Sequence, residues 1–169
     1  MVVLRVADAH DFVFGERHGF QRGAQAGSFV DSGGQHHHRG LIEYHLHLEA
    51  KIAFRDVDPG EYAGLFISGG RAPEYLRYDQ DLLRITRHFF ETKKPVASVC
   101  HGIEILTAAG VIKGRKVTTV AKCALDCEQG GARYVDEPCV RDGNLVTART
   151  WHDNTPFMKA FVEMLKSAR

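Results

Sequence analysis

Pro95-Val96-Ala97-Ser98-Val99-Cys100-His101-Gly102 reads as a short apolar strand that runs straight into a sharp turn. The run that follows, Ile103-Glu104-Ile105-Leu106, begins a helix predicted to reach Ala109, with Gly110 as its C-terminal stop. Strand, potential nucleophile and helix in immediate succession are the sequence form of a nucleophile elbow. The rest of the chain repeats the alternation on either side. Ala63 to Ile67 is a compact apolar run suited to a buried parallel strand, and Ser68, Gly69 and Gly70 end it. Leu82, Leu83, Ile85, Phe89 and Phe90 mark one face of a helix predicted over 76–90, closed by Lys93, Lys94 and Pro95. Further strands are expected at 117–120 and on both sides of Asp142-Gly143, a strong hairpin turn. Phe157, Phe161, Met164 and Leu165 define a last amphipathic helix. Strands alternating with helices imply an α/β fold, with a mostly parallel sheet covered on both faces.

Length and composition fit this reading. The 169 residues suffice for one domain with a real core, and 44% hydrophobic with 25% charged residues excludes a disordered or collagen-like chain. The 22 basic and 21 acidic residues leave a formal net charge of +1, which supplies no electrostatic reason to expect nucleic acid or an acidic membrane surface. No stretch approaches the ~18 consecutive apolar residues of a membrane span. The start, MVVLRVADAHDF, lacks the pattern of a signal peptide, so a cytoplasmic protein is expected. The four cysteines, Cys100, Cys123, Cys127 and Cys139, are then expected as thiols.

Residues 1–40 differ from the remainder. Gly15 to Gly40 is rich in Gly, Gln, His and Arg without sustained periodicity, and is expected to be loop-rich or poorly packed. His36, His37 and His38 could attract a metal, but lack a partner ligand at sensible spacing, so no metal site is assigned. Beyond Leu41, alternation over Tyr44, Leu46 and Leu48, then Ile52 and Phe54, predicts strands.

Cys100 is the leading candidate for chemistry. The turn lifts its side chain above the strand ends, where open α/β sheets bind ligands, and the following helix start offers N–H groups to a thiolate. The competing reading is a buried packing residue. Gly69 and Gly70, after the neighbouring strand, would let a backbone amide approach a substrate oxygen; with the amide of His101, Gly70 could form an oxyanion hole. An ordinary tight turn is the alternative. Trp151 and His152, after the last strand, are candidates to border the same pocket. Cys123 and Cys127 could bracket a helical turn near the site, but read better as structural or incidental thiols.

The stretches LFISGGRAPEYLR, KPVASVCHG, AAGVIKGRKVTT and GGARYVDEPCVRDGNLVTAR resemble the ThiJ/PfpI superfamily, over residues 41–169. The resemblance implies a flavodoxin-like three-layer sandwich of the class I glutamine-amidotransferase type, a single domain over 1–169 in which 1–40 is atypical. It also implies catalytic roles for Cys100 as nucleophile, His101 as its partner and Glu74 as the acid that orients the histidine from a neighbouring subunit. A homo-oligomer, dimer or hexamer, is therefore implied, with no cofactor. The family usually carries a glutamate near the end of its first strand as general acid/base. In register with Arg22 and Gly27, Phe12 falls at that position, and phenylalanine cannot transfer a proton. Asp11 and Glu16 are the candidate substitutes. The composition of residues 5–40 also fits a segment read in a shifted frame.

Three functions follow as expectations. The first is a cofactor-independent thiol enzyme acting on small reactive carbonyls or glycated proteins, a glyoxalase or deglycase. The second is a cysteine peptidase of the PfpI type, acting on peptides. The third is a redox-sensing or stress-response protein in which Cys100 is oxidised rather than turning over substrate.

Overall fold

The computed structural model describes residues 2–5 and 12–16, as backbone strands, and residues 52–168 in full. In chain order the strands are β1 (Val2–Arg5), β2 (Phe12–Glu16), β3 (Ile52–Ala53), β4 (Tyr62–Ile67), β5 (Val96–Val99), β6 (Lys116–Val117), β7 (Arg133–Tyr134), β8 (Cys139–Asp142) and β9 (Leu145–Ala148). The helices are α1 (Ala72–Leu76), α2 (Gln80–Glu91), α3 (Ile103–Ala109), α4 (Ala124–Gln129) and α5 (Asn154–Ser167). Seven strands make one sheet in the order β3-β2-β1-β4-β5-β9-β8, and β6 pairs with β7 apart from it.

The centre of the sheet is parallel. β4 pairs with β5 through Ile67 opposite Ser98, and β5 pairs with β9 through Ser98 opposite Thr147. All four residues of β5 and of β9 are buried, as expected for strands covered on both faces. One cover holds α2, α3 and α4, whose Leu82, Ile85, Phe89, Ile103, Leu106 and Cys127 join Leu65, Ile67 and Leu145 in the larger core. The other is α5, whose Phe157, Phe161 and Met164 pack with Ala97, Val99, Val146 and Ala148. Gly64 permits this approach: a Cβ there would lie 2.7 Å from Leu165 and 3.1 Å from the Pro95 carbonyl oxygen. The result is the expected flavodoxin-like α/β sandwich.

Both flanks bring in antiparallel pairs, although β3, at one edge, runs parallel to β2. The β8–β9 hairpin turns at Asp142-Gly143, where Gly143 takes a φ of 58°. β1 lies beside β4 and runs antiparallel to both β4 and β2. The β4 edge, which would be bare if the first forty residues supplied no strand, is thus paired.

Three local expectations change. The helix predicted over 76–90 starts later, at Gln80, because the Asp79 carboxylate accepts hydrogen bonds from the amides of Asp81 and Leu82 and caps α2 there; Leu76 instead ends the separate α1. Phe54 is not in a strand: it opens a 3₁₀ turn over Phe54–Asp56 and is buried in the core. The strand expected over 117–120 is only Lys116–Val117; the amide of Thr118 donates instead to Oγ1 of Thr147 at 2.9 Å. Tyr44, Leu46, Leu48, Asp11 and the His36–His38 run lie outside the described residues.

An ion-pair cluster fixes the junction of β9 with α5. Arg149 donates from Nε and Nη2 to the two carboxylate oxygens of Asp153, at 3.0 and 3.2 Å, and from Nη1 to Asp136 at 2.9 Å. The arginine hydrogen bonds hold the buried Asp153 carboxyl below the usual carboxylate range. Folding therefore favours the ionised form. The resulting stability is present above the unfolded-state value of about 4, and is lost as pH falls through the lower folded-state value.

Two stability outcomes are expected. Phe161→Ala, which empties a fully enclosed site beneath α5, should cost about 3–5 kcal/mol in denaturant unfolding. Asp153→Asn should lower the melting temperature at neutral pH and flatten its fall below about pH 4; acid limbs of equal slope in the two proteins would contradict the linkage.

Candidate active site

Where β5 ends, the backbone changes hand. Val99 is extended, and Cys100 takes a φ of 57°, in the left-handed region that side chains other than glycine seldom adopt. The chain then passes through a 3₁₀ turn over Cys100–Gly102 into α3. This conformation raises the side chain from the end of the strand, and non-glycine strain of this kind persists only where surrounding structure enforces it. Two glycines and one hydroxyl supply that enforcement. A Cβ on Gly69 would sit 2.6 Å from Cβ and 3.2 Å from Sγ of Cys100. A Cβ on Gly102 would sit 2.7 Å from the Ser98 hydroxyl oxygen and 2.8 Å from the Ile67 carbonyl oxygen. Only glycine lets the β4 loop and the start of α3 close on the elbow at these two points. The Thr119 hydroxyl, meanwhile, donates to the Cys100 carbonyl oxygen at 2.7 Å.

Sγ of Cys100 lies 3.1 Å from Nδ1 of His101, within the reach of a sulfur hydrogen bond. Both residues are partly buried. Nε2 of His101 is enclosed and makes no hydrogen bond among the described residues. The thiol thus faces a base at its own doorway, while the far ring nitrogen is left free. The other thiols are in different surroundings. Burial, aided by Glu104, pushes the Cys123 thiol up to about 12. Burial and Asp126 push Cys127 up to about 12, and burial also raises Cys139. These three are held as thiols at neutral pH.

The remaining candidates fall as follows. Gly70 has a φ of 82°, and the space where its side chain would stand is open. Glu74 sits in α1, with its carboxylate 3.4 Å from Nη2 of Arg71 in the same chain. Trp151 is 70% exposed and lies against the His152 ring, whose amide donates to the Thr150 hydroxyl at 3.4 Å. Glu16 closes β2, with β1 and β4 between that strand and β5.

Sequence reasoning missed a carboxylate beside the histidine. Glu104, one helical turn beyond His101, is only 5% exposed. Its Oε2 accepts from Nη1 of Arg77 at 3.4 Å, and its Oε1 accepts from Sγ of Cys123 at 3.5 Å. Arg77 also holds Asp126 at 3.3 Å. Ligating atoms of His101, Glu104 and Cys123 all lie within 4.8 Å of one another. The signal was a charged residue inside the apolar run Ile103-Glu104-Ile105-Leu106, on the face that packs inward. Cys123, read as an incidental thiol, is part of this cluster.

Comparison with known proteins gives the family. The model of the DJ-1/PfpI family matches residues 27–164, starting upstream of Leu41, where the resemblance was expected to begin. Deglycase TK1284 of Thermococcus kodakarensis is 44% identical over 115 residues, covering 68% of this chain and 69% of that protein. Protein DJ-1 homolog D of Arabidopsis thaliana is 41% identical over 116 residues, 66% of this chain and 30% of that longer protein. Among solved structures, the ThiJ/PfpI domain protein from Brachyspira murdochii superposes with a TM-score of 0.65 at 27% identity, covering 70% of this chain and 68% of that one. With the strand–elbow–helix arrangement around Cys100, these matches show that the chain belongs to the DJ-1/PfpI family.

Proposed function

We propose that this protein is a thiol enzyme of the glyoxalase or deglycase type, acting on reactive carbonyls without a cofactor, with Cys100 as nucleophile and His101 as its base. The observation that carries the reading is the 3.1 Å approach of Sγ to Nδ1 on a left-handed elbow. The Thermococcus relative bears the name deglycase, which fits the same chemistry.

For methylglyoxal, Sγ of Cys100 adds to the aldehyde carbon, and the thiol proton passes to Nδ1 of His101. The new oxyanion is received by the amides of Gly70 and His101 and is protonated to a hemithioacetal. Removal of the proton from that carbon and return of a proton to the neighbouring one yield a lactoyl thioester. Water hydrolyses the thioester to lactate and regenerates the thiol. His101 is the group in place to carry these protons, since Phe12 stands where the family carries a carboxylate. With the carbinolamine of an early glycation adduct, Sγ bonds to the carbon that carries nitrogen, the C–N bond breaks, the leaving protein amine takes the thiol proton, and the same hemithioacetal forms. Glu74, which among the described residues pairs with exposed Arg71, is available to a second subunit, in keeping with an oligomer.

Two outcomes test this reading. Purified protein should form lactate from methylglyoxal without glutathione, Cys100→Ser should abolish turnover, and His101→Ala should lower kcat by about 10²–10⁴-fold. Equal rates in Cys100→Ser would overturn the assignment, and peptide hydrolysis without lactate would transfer it to a peptidase. Gly69→Ala should also lower kcat, because its methyl meets Cβ and Sγ of Cys100 and the Val99 carbonyl oxygen at the end of β5; unchanged turnover in the folded variant would show that Sγ placement is not limiting.

A further inference from the structure

We infer that His101, Glu104 and Cys123 form a site for a borderline-soft divalent cation of the zinc class, placed so that the bound ion takes His101 out of proton transfer. The three residues supply one nitrogen, one carboxylate oxygen and one sulfur, the donor set that zinc favours. Their ligating atoms already lie within 4.8 Å of one another. Two of them need no movement. Bond lengths of about 2.3 Å to sulfur and about 2.0 Å to oxygen, at a tetrahedral angle, put those atoms roughly 3.5 Å apart. Sγ of Cys123 and Oε1 of Glu104 are separated by 3.5 Å.

The surroundings have the form of a metal shell. Arg77 holds the second oxygen of Glu104, leaving Oε1 to face Cys123, and Asp126 offsets the arginine charge. Outer partners of this kind orient ligating carboxylates. Glu104 and Cys123 are 5% and 2% exposed, so the partly exposed His101 is the side from which an ion would enter. The histidine offers Nε2, enclosed and without a hydrogen bond among the described residues, while Nδ1 faces the Cys100 thiol. Lys122 is the other nearby cation and acts on Cys123 from its own turn.

Binding is an exchange of charge without redox change. The cation replaces the Cys123 thiol proton, which leaves to solvent, and bonds to Nε2 and Oε1. With Nε2 occupied by metal, neutral His101 carries its one proton on Nδ1. Nδ1 can then donate to Cys100 but cannot accept its proton, so the ion arrests the base. Binding stands on the three side chains alone; its effect on turnover rests on the function proposed above.

Cobalt(II) titration of the intact protein separates the two claims, because a cobalt–thiolate bond gives a near-ultraviolet charge-transfer absorption. One equivalent should bind with that band in wild type and in Cys100→Ser, which has no turnover, and the band should be lost in Cys123→Ser. Failure to bind one equivalent, or a band that survives in Cys123→Ser and disappears in Cys100→Ser, would overturn the site. Should Cys123→Ser fail to fold, Glu104→Gln, which keeps the thiol, should weaken cobalt binding at least ~tenfold; unchanged affinity would overturn it equally. With binding established, zinc should suppress lactate formation reversibly on chelation, and undiminished turnover in the zinc-loaded protein would refute the arrest of His101.

Discussion

The site depends on one backbone torsion, the left-handed φ of 57° at Cys100. Strain at a non-glycine residue costs on the order of 1–3 kcal/mol and survives only where its neighbours leave no alternative. Here the β4 loop, the first turn of α3 and the segment after β6 all meet the elbow. Gly69 approaches within the radius of a methyl group, Gly102 seats α3 on Ile67 and Ser98, and Thr119 holds the Cys100 carbonyl oxygen. The parallel centre of the sheet makes this convergence possible, because β4, β5 and β9 end at the same side. The core on both faces then serves a single purpose: to keep these strand ends in register.

Around that elbow the charges are arranged in two tiers. Cys100 and Nδ1 of His101 face one another at the end of β5, and beside them the buried Glu104 and Cys123 join the half-buried Arg77 and Asp126 in one network. The histidine lies between the two tiers, with Nδ1 on the Cys100 thiol and its ring beside Glu104 and Cys123. The second tier is built from α3, the 3₁₀ turn over Ala121–Cys123, and α4, so its geometry depends on how those elements pack against α1 and α2.

Much of this was legible in the sequence because the strongest signals are local. The apolar run at 63–67, the small-residue strand before Cys100, the Gly110 stop and the Asp142-Gly143 turn each specify their own conformation. The helix expected from Leu76 starts only at Gln80, because the Asp79 cap is a two-amide interaction that apolar periodicity does not register. Phe54 was read as a strand residue from alternation alone; its burial is set by tertiary packing with the α2 layer. The cluster beside His101 was missed for a similar reason. Nineteen residues separate Glu104 from Cys123, and only the packing of the turn before α4 on α3 brings them together.

The most direct test of the elbow as the reactive centre is site-resolved alkylation. Native protein would be exposed briefly to iodoacetamide at neutral pH, and each of the four cysteines quantified by peptide mass spectrometry. The account predicts modification confined to Cys100 while Cys123, Cys127 and Cys139 stay protected, and a slower reaction at Cys100 in His101→Ala. Labelling spread across the four thiols of the folded protein, or a Cys100 rate indifferent to loss of His101, would contradict it.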